Sequence, residues 1–167
     1  MRRLLPRLWL SESAGATIKQ SAASTHPRET GGVLLGVYTT AGRPWVCQAV
    51  VIPSRKSTPT YYDVVAGARP EAVEAARVHD MRLGYLGDWH SHPADVGPSA
   101  VDRATMQRIG ADPDAHCAHP LLIIARRDAG GGYRLDARQL ARRRLRQLHV
   151  IAAGDLPVQS SNSQTAQ

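Results

Sequence analysis

Gly87-Asp88-Trp89-His90-Ser91-His92-Pro93, followed by Pro98-Ser99-Ala100-Val101-Asp102, is the stretch that decides how this chain folds. Leu83 to His90 has the apolar and aromatic content of a strand. Residues i and i+2 of a strand face the same way, so His90 and His92 aim at one point. Pro93 fixes the exit from the strand. Ser99 is a good helix N-cap, and the spacing predicts a helix from there to about Ile109. Asp102 falls at the start of that helix, ten residues after His92. The loop from Pro93 to Pro98 lets the helix turn back over the strand end. The Asp102 carboxylate then joins the imidazoles at a helix N-terminus, whose positive end favours an anion. Two imidazole nitrogens and a carboxylate oxygen suit zinc, with a fourth position left for water. Such a water becomes a nucleophile near neutral pH. The candidate metal ligands are therefore His90, His92 and Asp102.

Each piece has a plainer reading. Ser99-x-x-Asp102 is also an ordinary helix start, and a His-x-His pair can be two hydrogen-bonded structural histidines. The order and spacing together favour a metal. A metal-bound water also needs a base. Glu12 sits at a helix start, and Glu71 and Glu74 lie on a solvated helix face. Glu29 differs, because it directly precedes the apolar run Thr30-Gly-Gly-Val-Leu-Leu-Gly36. A carboxylate at the edge of a core strand is costly unless it has a partner or a task. Ser99 has a second candidate role, donating its hydroxyl to the oxyanion of a tetrahedral intermediate. Asp88 shares a face with His90 and could orient it, or be a solvated acid. Ser91 points away from the metal, and Trp89 either lines the substrate groove or packs.

The chain has 167 residues and 43% hydrophobic content, enough for one domain over residues 1–155 with a single core. Phe is absent, so Leu, Val, Ile and Ala must fill it. The net charge is +7, carried almost wholly by arginine. A solvated basic surface explains it better than nucleic-acid binding, because no basic helix with interleaved aromatics is present. Cys47 and Cys117 lie outside any C-x-x-C pattern and suggest no disulfide framework, so a reducing cytoplasm is expected. The first ten residues begin like a signal peptide, but Pro6 and Arg7 break the apolar run. No stretch approaches the ~18 apolar residues of a membrane span.

Around the central motif, helices are expected over 12–25 and from Pro70 to about Met81, the latter with Ala72, Val73, Ala76 and Val78 on its apolar face. Strands are expected at Thr30–Thr39, Trp45–Ile52, Tyr61–Val65 and Leu121–Ala125. The arginine-rich stretch beyond Tyr133 reads as two strands with a turn near 142–144, and residues 156–167 as a disordered tail. Strands and helices alternating in this way argue an α/β (α+β) fold, a mixed sheet flanked by helices.

Glu29 with Thr-Gly-Gly-Val-Leu-Leu-Gly, His90-Ser-His92-Pro93 and Ser99-x-x-Asp102 together resemble the JAMM motif of JAB/MPN metalloproteases, over roughly residues 10–150. Gly87-Asp-Trp-His-Ser-His-Pro looks especially like bacterial members found with ubiquitin-like and E1/E2-like systems. The resemblance implies a mixed sheet similar to that of cytidine deaminases. It implies zinc on His90, His92 and Asp102, Glu29 as general acid/base and Ser99 as oxyanion stabiliser. The implied reaction is hydrolysis of an amide or isopeptide bond after the tail of a ubiquitin-like or sulfur-carrier protein, with an E1/E2-like enzyme as a further partner. The family's usual interval from the second histidine to the aspartate is eleven residues; here it is ten. That shorter loop is the one feature favouring a catalytically inactive scaffold that binds protein partners. A DNA-associated module similar to RadC fits the positive charge but not Pro93 directly after His92. A zinc nucleoside deaminase would need a C-x-x-C pair that the chain lacks.

Overall fold

The computed structural model describes residues 5–54 and 56–157. Of the expected tail, 158–167 lie outside the described residues. Eight strands and three helices follow one another as β1 (Arg7–Ser11), α1 (Glu12–Thr25), β2 (Gly31–Tyr38), β3 (Pro44–Val51), α2 (Ala68–Arg77), β4 (Gly84–His92), α3 (Ala100–Ala111), β5 (Leu121–Arg127), β6 (Tyr133–Ala141), β7 (Arg144–Gln147) and β8 (His149–Ala153). A single 3-10 turn at Pro113–Ala115 follows α3. The strands form one mixed sheet in the order β7-β6-β5-β4-β2-β3-β1-β8.

The sheet curls around α1. Ser11 caps this helix by accepting from the Ala14 N–H at 3.2 Å, and its own hydroxyl donates to the Cys47 carbonyl at 2.9 Å. Ala14, Ile18 and Ala22 form the helix's buried stripe, at the spacing expected of an amphipathic helix. They meet Leu8, Leu34, Val46, Trp89, Ile123 and Ala137 from the concave side of the sheet. Only Leu148 separates β7 from β8, although these strands stand at opposite ends of the sheet order. The two edges are therefore brought round toward one another. On the other face, α2 covers Val33, Leu35 and Leu83, and α3 covers Leu122 and Ile124 through Met106 and Ile109.

Between these faces, β4 changes its alternation once. Gly87 pairs with Leu34 but Tyr85 with Leu35, so Leu86 is the extra residue of a β-bulge. Leu86 and Trp89 consequently both enter the α1 core, while Tyr85 packs on the α2 and α3 side. Asp88 meets the Tyr85 hydroxyl at 2.7 Å, which places it, His90 and His92 on that second side too. Gly87 has φ 154°, and a Cβ there would stand 2.0 Å from the Leu121 carbonyl oxygen. Only glycine fits.

Several expectations need correction. Tyr61–Val65 is not a strand; the segment makes one isolated bridge, Thr58 to Tyr61. Its apolar residues serve the α2-side core instead, through Tyr62 and Val64. The N-terminal run supplies a strand, β1, held between β3 and β8. α2 stops at Arg77, and Val78 is 81% exposed rather than part of the apolar face. The arginine-rich stretch, by contrast, makes the two expected strands, β6 and β7, with the turn at Arg142 and Arg143, and Leu148 then leads the chain into β8 beside β1.

Gly87→Ala is expected to destabilise the protein by about 3 kcal/mol, since backbone must move to admit the methyl group. Urea unfolding followed by tryptophan fluorescence measures it; an unchanged midpoint would contradict the bulge.

Candidate functional site

His90 and His92 occupy the C-terminal end of β4, where the parallel neighbour β5 places Ile124 and Arg126 beside them. Their Nε2 atoms face each other at 3.0 Å. The His92 Nδ1–H donates to the Val96 carbonyl at 3.0 Å, which fixes the tautomer and leaves a lone pair on Nε2. Asp102, in the first turn of α3, brings Oδ1 to 3.2 Å from His90 Nε2 and Oδ2 to 3.8 Å from His92 Nε2. The ligand-type atoms of the three residues all lie within 4.8 Å of one another.

The plain helix-start reading of Asp102 holds, and it leaves room for the metal-ligand one. A capping box is present: Ser99 Oγ accepts from the Asp102 N–H at 3.1 Å, and Asp102 Oδ2 accepts from the Ser99 N–H at 2.6 Å. Capping therefore aims the other oxygen at the histidines. The ten-residue interval after His92 is long enough for this. Two N/O ligands about 2.1 Å from one tetrahedral ion stand about 3.4 Å apart. The two Nε2 atoms stand 3.0 Å apart and His90 Nε2 stands 3.2 Å from Asp102 Oδ1, both close to that value, and the three ligand atoms lie within 4.8 Å of one another. The donor set therefore fits a divalent metal ion.

Glu29 ends the turn after α1 and is 7% exposed. Its Oε1 stands 3.9 Å from His92 Nε2. Burial pushes its carboxyl up to about 7; the positive charge of His90 opposes this and the Asp102 carboxylate adds to it. Asp102 goes the other way. Burial alone would raise it, but His90 and the Ser99 amide outweigh burial and hold it well below the usual carboxylate range. The same set splits the histidines: His90 is raised because Asp102 outweighs its burial, and His92 is lowered by burial and by the charge of His90.

Four supports were not readable from sequence. The Thr30 N–H donates to Ser91 Oγ at 3.0 Å, so the serine that faces away from the histidines ties β4 to the segment carrying Glu29. Ser57 Oγ donates to the Glu29 carbonyl, and the Glu29 N–H donates to the Thr58 carbonyl at 2.9 Å. A Cβ on Gly31 would stand 2.4 Å from the Trp89 carbonyl oxygen and 2.9 Å from His90 Cβ, so glycine lets β2 close on the site. Arg126, level with His92 on β5, donates to the Asp95 carbonyl at 3.1 Å and to buried Asp136 at 2.9 Å. It thereby holds the loop whose Val96 carbonyl orients His92.

Asp88 does not float in solvent; it is 5% exposed. Its hydrogen bonds, two from Arg69 and one from Tyr85, go to those residues rather than to His90. Trp89 is fully buried, its indole N–H donating to the Val50 carbonyl at 3.2 Å. A cavity of about 180 Å³ adjoins His90 and Asp102, with Tyr61, Tyr62, Val101 and Thr105 among its walls.

A curved mixed sheet whose central strand presents two histidines to a capped aspartate defines a metal-site domain of the JAB/MPN class. The chain belongs to the family of prokaryotic homologs of the JAB domain, which it matches over residues 11–145. It is 35% identical over 113 residues to a protein of Enterobacter hormaechei subsp. hoffmannii named "CD-NTase/cGAS isopeptidase", covering 65% of this chain and 61% of the relative's length. It is 30% identical over 128 residues to "Probable metalloprotease y4qB" of Sinorhizobium fredii, covering 72% of this chain and 76% of that protein. Among solved structures, a Desulfitobacterium hafniense protein shares the fold with TM-score 0.70 at 19% identity, covering 89% of this chain and 94% of that one. A JAB1/MPN domain protein of Archaeoglobus fulgidus gives TM-score 0.50 at 16% identity, covering 86% and 97%.

The raised Glu29 carboxyl has a consequence for stability. Its folded value of about 7 exceeds the ordinary 4.5, so the folded protein binds the proton more tightly. The associated stability is fully present below about pH 4.5 and is lost as pH rises through about 7. In chelator, Glu29→Gln is expected to gain stability relative to wild type as pH rises from about 5 to about 8. Denaturation midpoints across that range check it; a constant difference would contradict the buried carboxyl.

Proposed function

We propose that this protein is a zinc-dependent hydrolase that cleaves an amide or isopeptide bond at the C-terminal tail of a ubiquitin-like or sulfur-carrier protein. The observation that carries this reading is the convergence of His90 Nε2, His92 Nε2 and an Asp102 oxygen, with the buried Glu29 carboxyl 3.9 Å from His92 Nε2. His90, His92 and Asp102 would hold the zinc, whose borderline character suits two imidazoles and one carboxylate. When bound, zinc supplies Lewis acidity for the scissile carbonyl and lowers the pKa of water.

The chain's own residues do the rest. Glu29 accepts the proton of the attacking water and returns it to the departing amine nitrogen. A carboxyl poised near 7 suits both directions of that transfer. Ser99 Oγ accepts from the Asp102 amide, which leaves its O–H free to donate to the oxyanion. Val96 and Arg126 keep His92 in its ligating tautomer. The small cavity beside His90 suits an extended tail with little side-chain bulk. The relatives named as an isopeptidase and a metalloprotease support this class of reaction. The scaffold alternative drew on the shortened loop, yet Asp102 still reaches 3.2 Å from His90.

We place the whole machinery in one domain, residues 1–155, and the protein in the cytoplasm, where E1/E2-like enzymes would supply its conjugates. Both described cysteines, Cys47 and Cys117, are buried and unpaired, which suits a reducing compartment. Among the described residues no helix is long and apolar enough to cross a membrane.

Purified protein is expected to carry about one zinc per chain by elemental analysis, and His92→Ala to lose it. Zinc-free native protein would sink the proposal. Glu29→Gln is expected to keep its zinc and lose about a thousandfold in turnover on a ubiquitin-like fusion carrying a cleavable C-terminal amide. Retained turnover would remove Glu29 from the chemistry.

A further inference from the structure

The arginines behind the site form a second surface. Residues 134–146 hold six arginines and one acid, Asp136. That acid is taken up by Arg126 and Arg138, and Asp95 is taken up by Arg126 and Arg134. Among the described residues, Arg103, Arg142, Arg143, Arg144 and Arg146 have no acidic partner within 4.0 Å. Like charges this close repel one another, so the patch is unfavourable until something negative meets it.

Its shape is specific. Pro98, Arg103, Arg138, Arg144 and Leu145 enclose a pocket of about 290 Å³ whose lining contains three guanidinium groups and no carboxylate. Arg138 is held rigid on Asp136 by hydrogen bonds of 2.8 and 3.0 Å. The adjoining β6–β7 turn places Arg142 and Arg143 at φ 49° and 63°. A two-residue turn of this kind favours Asn-Gly, so two arginines there strain the backbone. The Gln107 side-chain amide donates to the Arg143 carbonyl at 2.9 Å and fastens the turn to α3. Pro98 adjoins Ser99, and Arg103 adjoins Asp102. The pocket thus lies one step along α3 from the histidine–aspartate cluster.

We propose that this pocket and the hairpin beside it are a docking site for an acidic surface of the protein substrate, with an Asp or Glu carboxylate seated between Arg103, Arg138 and Arg144. Guanidinium forks match carboxylates well. Single-stranded nucleic acid fits less well, because residues 134–153 contain no Phe, Tyr or Trp on which a base could stack. The proposal rests on the hydrolase reading for the identity of the partner, but its test needs no turnover.

Fluorescence anisotropy with a labelled polyglutamate peptide and a labelled oligothymidylate of equal length provides the test. Three proteins are compared: wild type, R103E/R144E, and the charge-matched control K19E/R43E at exposed positions on α1 and the β2–β3 turn, outside the pocket lining. Wild type is expected to bind polyglutamate in a salt-sensitive way. R103E/R144E is expected to bind it about tenfold more weakly, and K19E/R43E like wild type. Equal loss in both variants, or none in R103E/R144E, overturns the site. Tighter binding of oligothymidylate than of polyglutamate overturns the choice of partner. The hydrolase reading fails separately, through zinc content and the Glu29 variant, and leaves the anisotropy unaffected.

Discussion

One carboxylate holds the site together. Asp102 satisfies the backbone at the start of α3 with Oδ2 while Oδ1 meets His90. Helix, loop and strand are thereby registered against one another by a single side chain. The helix N-terminus stabilises the anion, and the anion stabilises positive charge at the histidines. Because the cap is made within the helix itself, the carboxylate is oriented before anything binds. Such pre-organisation favours tight metal binding, since little freedom remains to be lost.

The two acids of the site show how environment sets role. Glu29 and Asp102 both flank His92. Burial without a hydrogen-bonding cation raises one to about 7, whereas the histidine and the helix amide keep the other ionised. The separation yields a permanent anion for binding and a carboxyl able to gain or lose a proton near neutral pH. Neighbouring acids driven apart in this way are a common signature of acid–base chemistry.

Much of this was legible in the chain because it depends on short-range rules. The strand period aligned His90 with His92, the cap pattern located Asp102, and the apolar run after Glu29 set that acid apart. The boundaries of α1, Glu12 to Thr25, follow from local capping and a proline. What escaped depends on distant partners. The bulge at Leu86 lets β4 pair with β2 and still face the α1 core with both Leu86 and Trp89. β1 needs β3 and β8 as neighbours, and its five residues show too little periodicity alone. Arg69 is 19 residues from Asp88, so nothing local links the pair. Ser91 looked idle because its partner, Thr30, lies 61 residues earlier.

The closing of the sheet around α1 bears on solubility. An open sheet offers two long rows of unpaired amides, onto which other chains can add. Here the outermost strands are four and five residues long and follow one another through Leu148. One of them carries Arg144 and Arg146, whose charges discourage stacking of copies. A protein proposed to handle extended tails beside its metal thus keeps its own margins from recruiting them, and fibrillar self-association is blunted by the same curl that shelters the helix.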